Sequence, residues 1–478
     1  MSLQYPLLFP WGEDGFRIDI LHSGISEKSG NKRDVVTIRE YYCYRLQYRD
    51  AEGHTLIGGG RLFLQFVVDA WACIEHTRLT WVLTHQTILR SDLYNNVVDS
   101  VNKGDTNAST IGKRIVLPSS FTGSPRYMQQ NYQDCMAICR KFGSPDLFIT
   151  FTCNPQWPEI KEYCDKVPHC IPADRPDVMA RVFKIKLELL LEDLTDNHVL
   201  GKVIGVAYTI EFQKRGLPHA HIIVWLEESD KCHSTDDIDQ LICAEIPDKE
   251  SDEIGYDAVS RHMIHGPCGA YNIEFVVPYN RGLLVKYQAH INIEWCNQGR
   301  LIKYMFKYVN KGPDRATVVV ETANAVVTND TKQIVNVNEV EEYVSCRYLS
   351  SAEACWRIFE FPIHHHKPVV IKLVFHLENE QQVYFREDET LTTVVDRIDP
   401  NATMFIQWFR VNREDPAARD LTFVEFPEKY FWDNTGKIWQ RRKKKMCVIG
   451  RMVYVHPTAG MYIYCNVKMI IFNHVCYL

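Results

Sequence analysis

Hydrophobic and polar residues alternate along two parts of the chain, while in longer stretches the apolar residues recur every three or four positions. The alternation predicts β-strands at 145–155 and 202–226, because successive side chains of a strand point to opposite faces. The longer spacing predicts helical segments at 52–101, 119–143, 178–194 and 299–314. The segment 119–143 is expected to begin as a loop and to end at Gly143, and the acidic stretch 227–240 is expected to be a loop. Strands and helices in this order predict a mixed α+β protein.

The stretch 202–226 is predicted to be a β-hairpin whose turn runs from Lys214 to Pro218. Its second strand opens with His219 and His221, which flank one small apolar residue. Side chains two apart share a face of a strand, so both imidazoles point the same way. Two half-buried polar residues at the start of an ordinary strand are the alternative interpretation.

Three polar residues of the first strand are predicted to share that face. In the expected register Glu211 lies opposite His221 and Gln213 opposite His219, with Thr209 next in line. The face then combines two imidazoles, a carboxylate and an amide. This set is sufficient to hold a divalent ion with positions open for a substrate oxygen.

The strand at 145–155 carries a second polar face. Phe148, Thr150, Thr152 and Asn154 alternate with apolar residues and are predicted to point to one side. The three polar side chains either line a binding site or belong to an ordinary sheet edge.

The helix predicted at 299–314 carries two phenols and a row of ammonium groups. Tyr304 and Tyr308 are four residues apart and share a face, and Lys303, Lys307 and Lys311 repeat with the same spacing beside them. A phenol is a possible nucleophile, and cations stabilise both it and phosphoryl oxygens. Phosphate chemistry is therefore one interpretation, and core tyrosines above a solvated lysine face are the other.

Composition and net charge do not exclude phosphate chemistry. The formal charge of −6 does not indicate a nucleic-acid binder, although local patches decide such binding. The sixteen cysteines form no CxxC pair and follow no secretory segment, which favours reduced intracellular thiols. The apolar C-terminal stretch is interrupted by polar residues, so no membrane span is expected. The basic run 439–446 is interpreted as a phosphate contact, a nuclear signal or a solvated loop.

Several stretches together resemble one family, the Rep nuclease of Helitron rolling-circle transposons, or Helitron helicase-like domain, a branch of the HUH endonucleases. The resemblance extends to about residue 459. The stretches that carry it are "QYPLLFPWGEDGF", "IGKRIVLPSSFTGSPRYMQQNYQDCMAICR", "PDLFITFTCNPQWPEI", "EFQKRGLPHAHIIVWL", "VVPYNRGLLVKYQAHINIEWCNQGRLIKYMFKYVNKGPDR", "SCRYLSSAEACWRIFEFPIH" and "VEFPEKYFWD".

The resemblance implies an HUH-like α+β fold with a central, mostly antiparallel sheet flanked by helices. It also implies metal-dependent nicking and transfer of single-stranded DNA through a 5′-phosphotyrosine. In that mechanism His219 and His221 hold magnesium or manganese, with Gln213 favoured over Glu211 as third ligand. Tyr304 and Tyr308 are then the nucleophiles.

Further residues are assigned roles in the same mechanism. Lys307 is expected to stabilise the phenolate or phosphate. DNA is expected to contact Arg126 and Tyr127 in the loop before a helix, the polar face of Thr150, Thr152 and Asn154, and Lys303 and Lys311.

The chain is expected to divide into four parts: an N-terminal extension (1–38), the helicase-like domain (39–226), a linker with the two-tyrosine helix (227–320) and an accessory α/β region (321–478). It contains no GxxxxGK[ST] motif, so no ATP site is expected in this chain. A helicase would then lie on a separate or full-length chain.

The departures from the family also leave other functions open. The last region is expected to be truncated, and nuclear localisation is expected. A catalytically dead DNA-binding remnant, part of a split ATP-dependent helicase, and a small-molecule phosphodiesterase are the alternative functions.

Overall fold

The computed structural model describes most of the chain and divides it into two compact units. Unit 1 comprises Met1–Arg78, Pro145–Asn329 and Ser345–His365, and unit 2 comprises Leu79–Ser144, Asp330–Val344 and His366–Leu478. The residues described are 1–22, 34–49, 54–86, 89–103, 107, 113–114, 117–213, 216–265, 275–296, 339–345, 347–386, 388–444 and 446–453.

Helices occur in both units. In chain order the described helices are α1 (Ile38–Arg45), α2 (His54–Ile57), α3 (Arg61–Gln86), α4 (Tyr94–Asn102), α5 (Pro125–Phe142), α6 (Pro158–Asp165), α7 (Pro176–Thr195), α8 (Thr235–Leu241), α9 (Glu253–His262), α10 (Arg281–Tyr287), α11 (Glu339–Val344), α12 (Ser351–Ile358), α13 (Leu391–Arg397), α14 (Met404–Glu414) and α15 (Phe426–Lys429).

Strands likewise occur in both units. The described strands are β1 (Leu89–Leu93), β2 (Lys113–Arg114), β3 (Leu147–Thr152), β4 (Val203–Phe212), β5 (Pro218–Leu226), β6 (Ile264–His265), β7 (Phe275–Val276), β8 (Ile291–Trp295), β9 (His364–Lys367), β10 (Val369–Leu373), β11 (Gln382–Arg386), β12 (Tyr430–Asp433), β13 (Ile438–Arg441) and β14 (Val448–Met452).

Unit 1 is built on a five-stranded sheet with the order β8-β3-β5-β4-β9. β5 is the central strand, and it pairs antiparallel with β3 on one side and β4 on the other. β3 also pairs antiparallel with β8. The predictions of an α+β fold and of a histidine-bearing strand at the centre of an antiparallel sheet are therefore confirmed.

One face of this sheet forms the main core of unit 1. Apolar side chains at alternate positions of β3, β4, β5 and β8, among them Phe151, Tyr208, Ile222 and Ile293, pack into one cluster with residues of α3, α6, α7 and α12. The opposite face carries the other half of each alternation, including His219 and His221. The sheet thus separates an apolar layer, flanked by helices, from a second face, named the polar face, which carries the histidines at one end and the buried Ile223 and Trp225 at the other.

A buried ion pair fixes the beginning of α7, which packs against this sheet. Arg175 Nε and Nη2 donate to the two carboxylate oxygens of Asp177 at 3.0 and 2.9 Å, and both side chains are 0 % exposed. Arg181, one turn later, donates to the same carboxylate, and the Tyr163 ring lies 4.6 Å from the Arg175 guanidinium. The buried charges are therefore paired on several sides, as burial in an apolar core requires.

Unit 2 contains smaller sheets. They are a three-stranded sheet with the order β11-β1-β2, a parallel pair of β10 and β14, and an antiparallel hairpin of β12 and β13. Aromatic side chains of α14 and α15 and of the β12–β13 hairpin, such as Trp408 and Trp439, form its largest cluster of buried residues.

The boundaries of α5 follow from local sequence. The Ser124 hydroxyl accepts a hydrogen bond from the Tyr127 amide, and Pro125 occupies the first turn, where no amide donor is needed. Gly143 ends the helix with a φ of 85°, a conformation that glycine adopts without strain. The predicted loop, amphipathic helix and glycine stop are confirmed here.

Two segments differ from the sequence predictions. The helix-rich stretch 52–101 also contains strand β1, and the acidic stretch expected to be a loop forms α8. Ser234 caps α8 by accepting from the Asp237 amide, so acidic residues suited to a first helical turn were mistaken for a loop. The helix predicted at 299–314 lies outside the described residues.

Two further findings concern the chain as far as it is described. None of its helices combines the length and the apolar character needed to cross a membrane. Its cysteines are free thiols.

We expect the Arg175–Asp177 pair to be necessary for the stability of unit 1. Asp177→Ala leaves a buried guanidinium without its carboxylate and should lower the free energy of unfolding by about 3–5 kcal/mol. The matched control is Glu162→Ala, which breaks an exposed pair with Lys166 and should change it by less than about 1 kcal/mol. Denaturant titration measures both, and equal losses would contradict the assignment.

Candidate active site

The register of the β4–β5 hairpin places Glu211 opposite His219 and Thr209 opposite His221. All four side chains lie on the polar face of the sheet, as predicted. The pairing itself differs from the predicted one by two residues, which put Glu211 opposite His221 and Gln213 opposite His219. That predicted register was wrong.

A turn displaced by one residue towards the N-terminus explains the difference. Pro218 was assigned to the turn, but it is the first residue of β5 and pairs with Phe212. A strand tolerates proline at its first position. The backbone amide of Gln213 donates to the Leu217 carbonyl, and Gly216 closes the turn with a φ of 80°. Gln213 therefore lies beyond the end of β4 and is exposed to solvent.

His219 is buried and held by the neighbouring strand. Its side chain is 8 % exposed, and its Nδ1 lies 2.7 Å from the Thr152 hydroxyl of β3, which stands opposite it in register. When Nδ1 donates its proton to this hydroxyl, the lone pair is on Nε2 and is available to a ligand. Thr152 thus acts on His219 by positioning it.

Burial, followed by the neighbouring His221, lowers the pKa of His219 to about 3. The imidazole is therefore neutral at neutral pH. Its pKa in the unfolded chain is about 6.5, so between pH 6.5 and 3 the unfolded state binds the extra proton. We expect this histidine to reduce the stability of the fold as the pH falls through that window.

His221 is held by the strand on the other side. Its Nε2 lies 2.9 Å from Glu211 Oε2, and the ring stacks on Phe148 with centroids 5.9 Å apart and planes at 12°. The His219 and His221 rings are 4.5 Å apart and nearly perpendicular. Each imidazole is therefore hydrogen-bonded to a different neighbouring strand, and the Phe148 ring of β3 also packs against His221.

The donors present suit a divalent ion in their chemistry. Two imidazoles and the Glu211 carboxylate share one face within direct contact of one another. In the described residues, however, no group of three histidine, cysteine or carboxylate side chains has metal-binding geometry. Glu211 bonds to His221 Nε2 in this arrangement, so that contact must open before both can ligate an ion.

The predicted polar face of β3 is partly confirmed. Thr150 and Thr152 lie on the histidine face, opposite His221 and His219 respectively. Asn154 lies beyond the end of β3. Its amide donates to the Gln288 carbonyl at 2.6 Å and its oxygen accepts from the Gln156 amide, so it organises a turn.

Strand β8 contributes residues to this face that sequence reasoning missed. Asn292 pairs with Thr150 in register, and its amide donates to Glu294 Oε1 at 2.7 Å. The Asn292 Oδ1 is buried and accepts no hydrogen bond in the described part of the chain. The alternation of polar and apolar residues in "HINIEW" (290–295) is the sequence pattern from which this strand could have been predicted.

The remaining predicted site residues belong to unit 2 or fall outside the described residues. Arg126 and Tyr127 begin α5 in unit 2, where Arg126 Nη1 donates to the Leu117 carbonyl at 2.9 Å. The two tyrosines and three lysines of the predicted helix, Tyr304, Tyr308, Lys303, Lys307 and Lys311, lie outside the described residues.

Comparison with known families gives a match over the part of the chain that contains the histidine pair. Residues 41–224 match the family model described as the Helitron helicase-like domain at the N-terminus. The match includes β3, β4 and most of β5, and therefore Thr152, Glu211 and both histidines. A search of curated proteins found no match.

We predict that Thr152 sets the tautomer of His219. Thr152→Val keeps the side-chain shape but removes the acceptor, so the proton should move from Nδ1 towards Nε2. Imidazole ¹⁵N chemical shifts of the metal-free protein report the tautomer directly. Thr152→Ser should behave as wild type, and Thr150→Val, a buried change opposite His221, is the matched control. An unchanged tautomer in Thr152→Val would refute the role.

Proposed function

Because residues 41–224 form a Helitron helicase-like domain, we propose that the chain acts in rolling-circle transposition by nicking and transferring single-stranded DNA through a 5′-phosphotyrosine. The observation that carries the proposal is the pair of buried imidazoles beside Glu211, on the central strand and inside the matched domain. Membership of a Helitron domain family does not by itself specify nicking chemistry. The two imidazoles and the Glu211 carboxylate are side chains that suit it.

The architecture supports an HUH-endonuclease-like arrangement. Such a nuclease needs its two histidines on one strand, facing the same side of the central sheet. His219 and His221 meet that requirement on β5, with helices packed against the other face. The histidine face is then the surface on which the DNA strand and the nucleophile meet.

We assign metal binding to His219, His221 and Glu211. The observed register favours Glu211 over Gln213 as third ligand, since it brings the Glu211 carboxylate to the imidazoles and leaves Gln213 beyond the strand. A divalent ion, when bound, polarises the scissile phosphate. Magnesium and manganese are the proposed ions, and the imidazole ligands favour manganese in vitro.

The proposed nucleophiles are Tyr304 and Tyr308. The phenolic oxygen of one attacks phosphorus, the bond from phosphorus to the 3′ oxygen breaks, and the phenolic proton is lost while that oxygen gains one. The products are a 5′-phosphotyrosine and a free 3′-OH. Lys307 stabilises the phenolate or the phosphoryl oxygens, because an ordinary phenol is protonated at neutral pH.

Rejoining follows from the same chemistry. The phosphotyrosine conserves the energy of the phosphodiester bond, so a 3′-OH displaces the tyrosine without ATP. On the predicted helix the two tyrosines are one turn apart, a rise of about 6 Å, and each therefore serves one strand. Strand separation is assigned to a helicase outside the nuclease region, and the site of action to the nucleus.

Contacts with the DNA strand are proposed for two sets of residues. Thr150 and Thr152 are on the histidine face, whereas Lys303 and Lys311 belong to the tyrosine helix predicted from sequence. Arg126 and Tyr127 are proposed as a separate contact in unit 2. Asn154 is the weakest of the proposed DNA contacts, because its side chain is already used within the loop.

We predict that His219→Ala and His221→Ala each abolish metal-dependent cleavage. A labelled single-stranded oligonucleotide is incubated with the protein and manganese, and cleavage is followed on a denaturing gel. The control is His233→Ala, an exposed histidine of unit 1. Both site variants should keep the circular dichroism spectrum of the wild type. Cleavage that persists in both would exclude this metal site.

The second prediction concerns the covalent intermediate. Tyr304→Phe and Tyr308→Phe should each retain part of the protein–DNA adduct formed with a suicide oligonucleotide, and the double variant should retain none. Tyr44→Phe, a half-exposed tyrosine, is the control. An adduct in the double variant would place the nucleophile elsewhere. A wild-type protein that binds single strands but forms no adduct would instead be a non-catalytic remnant.

A further inference from the structure

A β-hairpin in unit 2 concentrates positive charge on a surface far richer in cations than the chain as a whole. It consists of β12, β13 and the run 442–444, and is called the basic hairpin below. Residues 430–444, which span it, contain five lysines and arginines and one aspartate, a net charge of +4 in a chain whose total is −6. Such a local patch, rather than the total charge, decides binding of a polyanion.

One face of the basic hairpin is anchored in the core. Tyr430 and Trp439 are buried, and Tyr430 stacks on Phe426 with centroids 4.3 Å apart. The Tyr430 hydroxyl donates to Asp415, and Trp439 Nε1 donates to the Met404 carbonyl at 2.8 Å. The hairpin is therefore a rigid support for its other face.

The other face exposes two apolar side chains, an amide and one carboxylate, that of Asp433, which accepts from Gln440 Nε2 at 3.0 Å. Phe431 and Gln440 are directly opposite in register, and Ile438 lies beside them. Phe431 is 36 % exposed and Ile438 38 %, although both are large apolar side chains. An exposed ring on a sheet is a surface on which an unpaired base can stack.

One cation lies beside the Phe431 ring, and two more follow it in the chain. The Arg442 guanidinium lies 5.9 Å from its centroid, and Arg442 Nε is fixed by the Pro427 carbonyl at 2.9 Å. Lys443 and Lys444 follow directly and are exposed. Neither of these lysines forms an ion pair with a carboxylate of the described residues, so their charges are available to phosphate.

We propose that the basic hairpin binds single-stranded nucleic acid, with a base stacked on Phe431 and the flanking phosphates on Lys443 and Lys444. Duplex is disfavoured, because its bases are already stacked on one another. A peptide-reading import receptor is also disfavoured. Receptors of that kind need a basic segment whose backbone is unpaired. Here Arg441 is paired in β13, and the Arg442 backbone amide donates to the Lys429 carbonyl. This contact does not depend on nicking.

The test measures binding of the full chain to fluorescein-labelled dT20 and rU20 by anisotropy, in EDTA so that cleavage does not interfere. Lys443→Gln/Lys444→Gln should weaken binding at least fivefold and lower the slope of log K against log salt by about 1.4. Phe431→Leu, which keeps an apolar side chain, should weaken it about tenfold. Comparing the two oligonucleotides shows whether DNA or RNA is preferred.

Matched controls distinguish loss of this site from a general loss of positive charge or of an exposed aromatic ring. Lys103→Gln/Lys161→Gln removes two exposed lysines elsewhere, and Tyr384→Leu removes an exposed ring of β11 in unit 2; neither should change binding beyond twofold. Circular dichroism verifies that each variant is folded. Unchanged binding in the hairpin variants, or an equal loss on a 20-base-pair duplex, would overturn the proposal. Failure of the nicking assays would leave this result unaffected.

Discussion

The register between β4 and β5 is the constraint on which the rest of unit 1 depends. Side chains alternate faces along a strand, so a slip of one residue would exchange His219 and His221 for the apolar residues of the helix-covered face. β5 is buried along its whole length, and both of its faces therefore specify the register. Gly216 fixes it at the turn, where a φ of 80° would strain a residue with a Cβ.

Much of this arrangement could be predicted from sequence, because it follows from short-range alternation. The strands 145–155 and 202–226, the shared face of the two histidines, and the glycine stop of α5 all depend on neighbouring residues. The register could not be predicted as reliably. Proline is common both in turns and at strand starts, and assigning Pro218 to the wrong one of these moved Gln213 into a position that Glu211 occupies.

Contacts between strands distant in sequence were the least predictable part. β8 is about 140 residues after β3 in the chain, yet it brings Asn292 to the side of Thr150. The Thr152–His219 bond likewise joins residues 67 apart. A pattern within one strand shows which face a side chain occupies, but the order of strands in the sheet decides its neighbours. Sequence therefore indicated the polar residues of β3, β4 and β5 on this face and omitted those of β8, Asn292 and Glu294.

The two proposed sites recognise phosphate by opposite physical means. At the histidine face, burial keeps His219 neutral, so its lone pair is ready for a ligand without first releasing a proton. The imidazoles at this face must be correctly oriented, and their hydrogen bonds to Thr152 and Glu211 orient them. On the basic hairpin, exposed lysines attract any strand through long-range charge, and the stacking ring tolerates every base. The proposed strand transfer would use both kinds of contact, since cleavage demands a fixed phosphate, whereas the flanking DNA must be retained whatever its sequence.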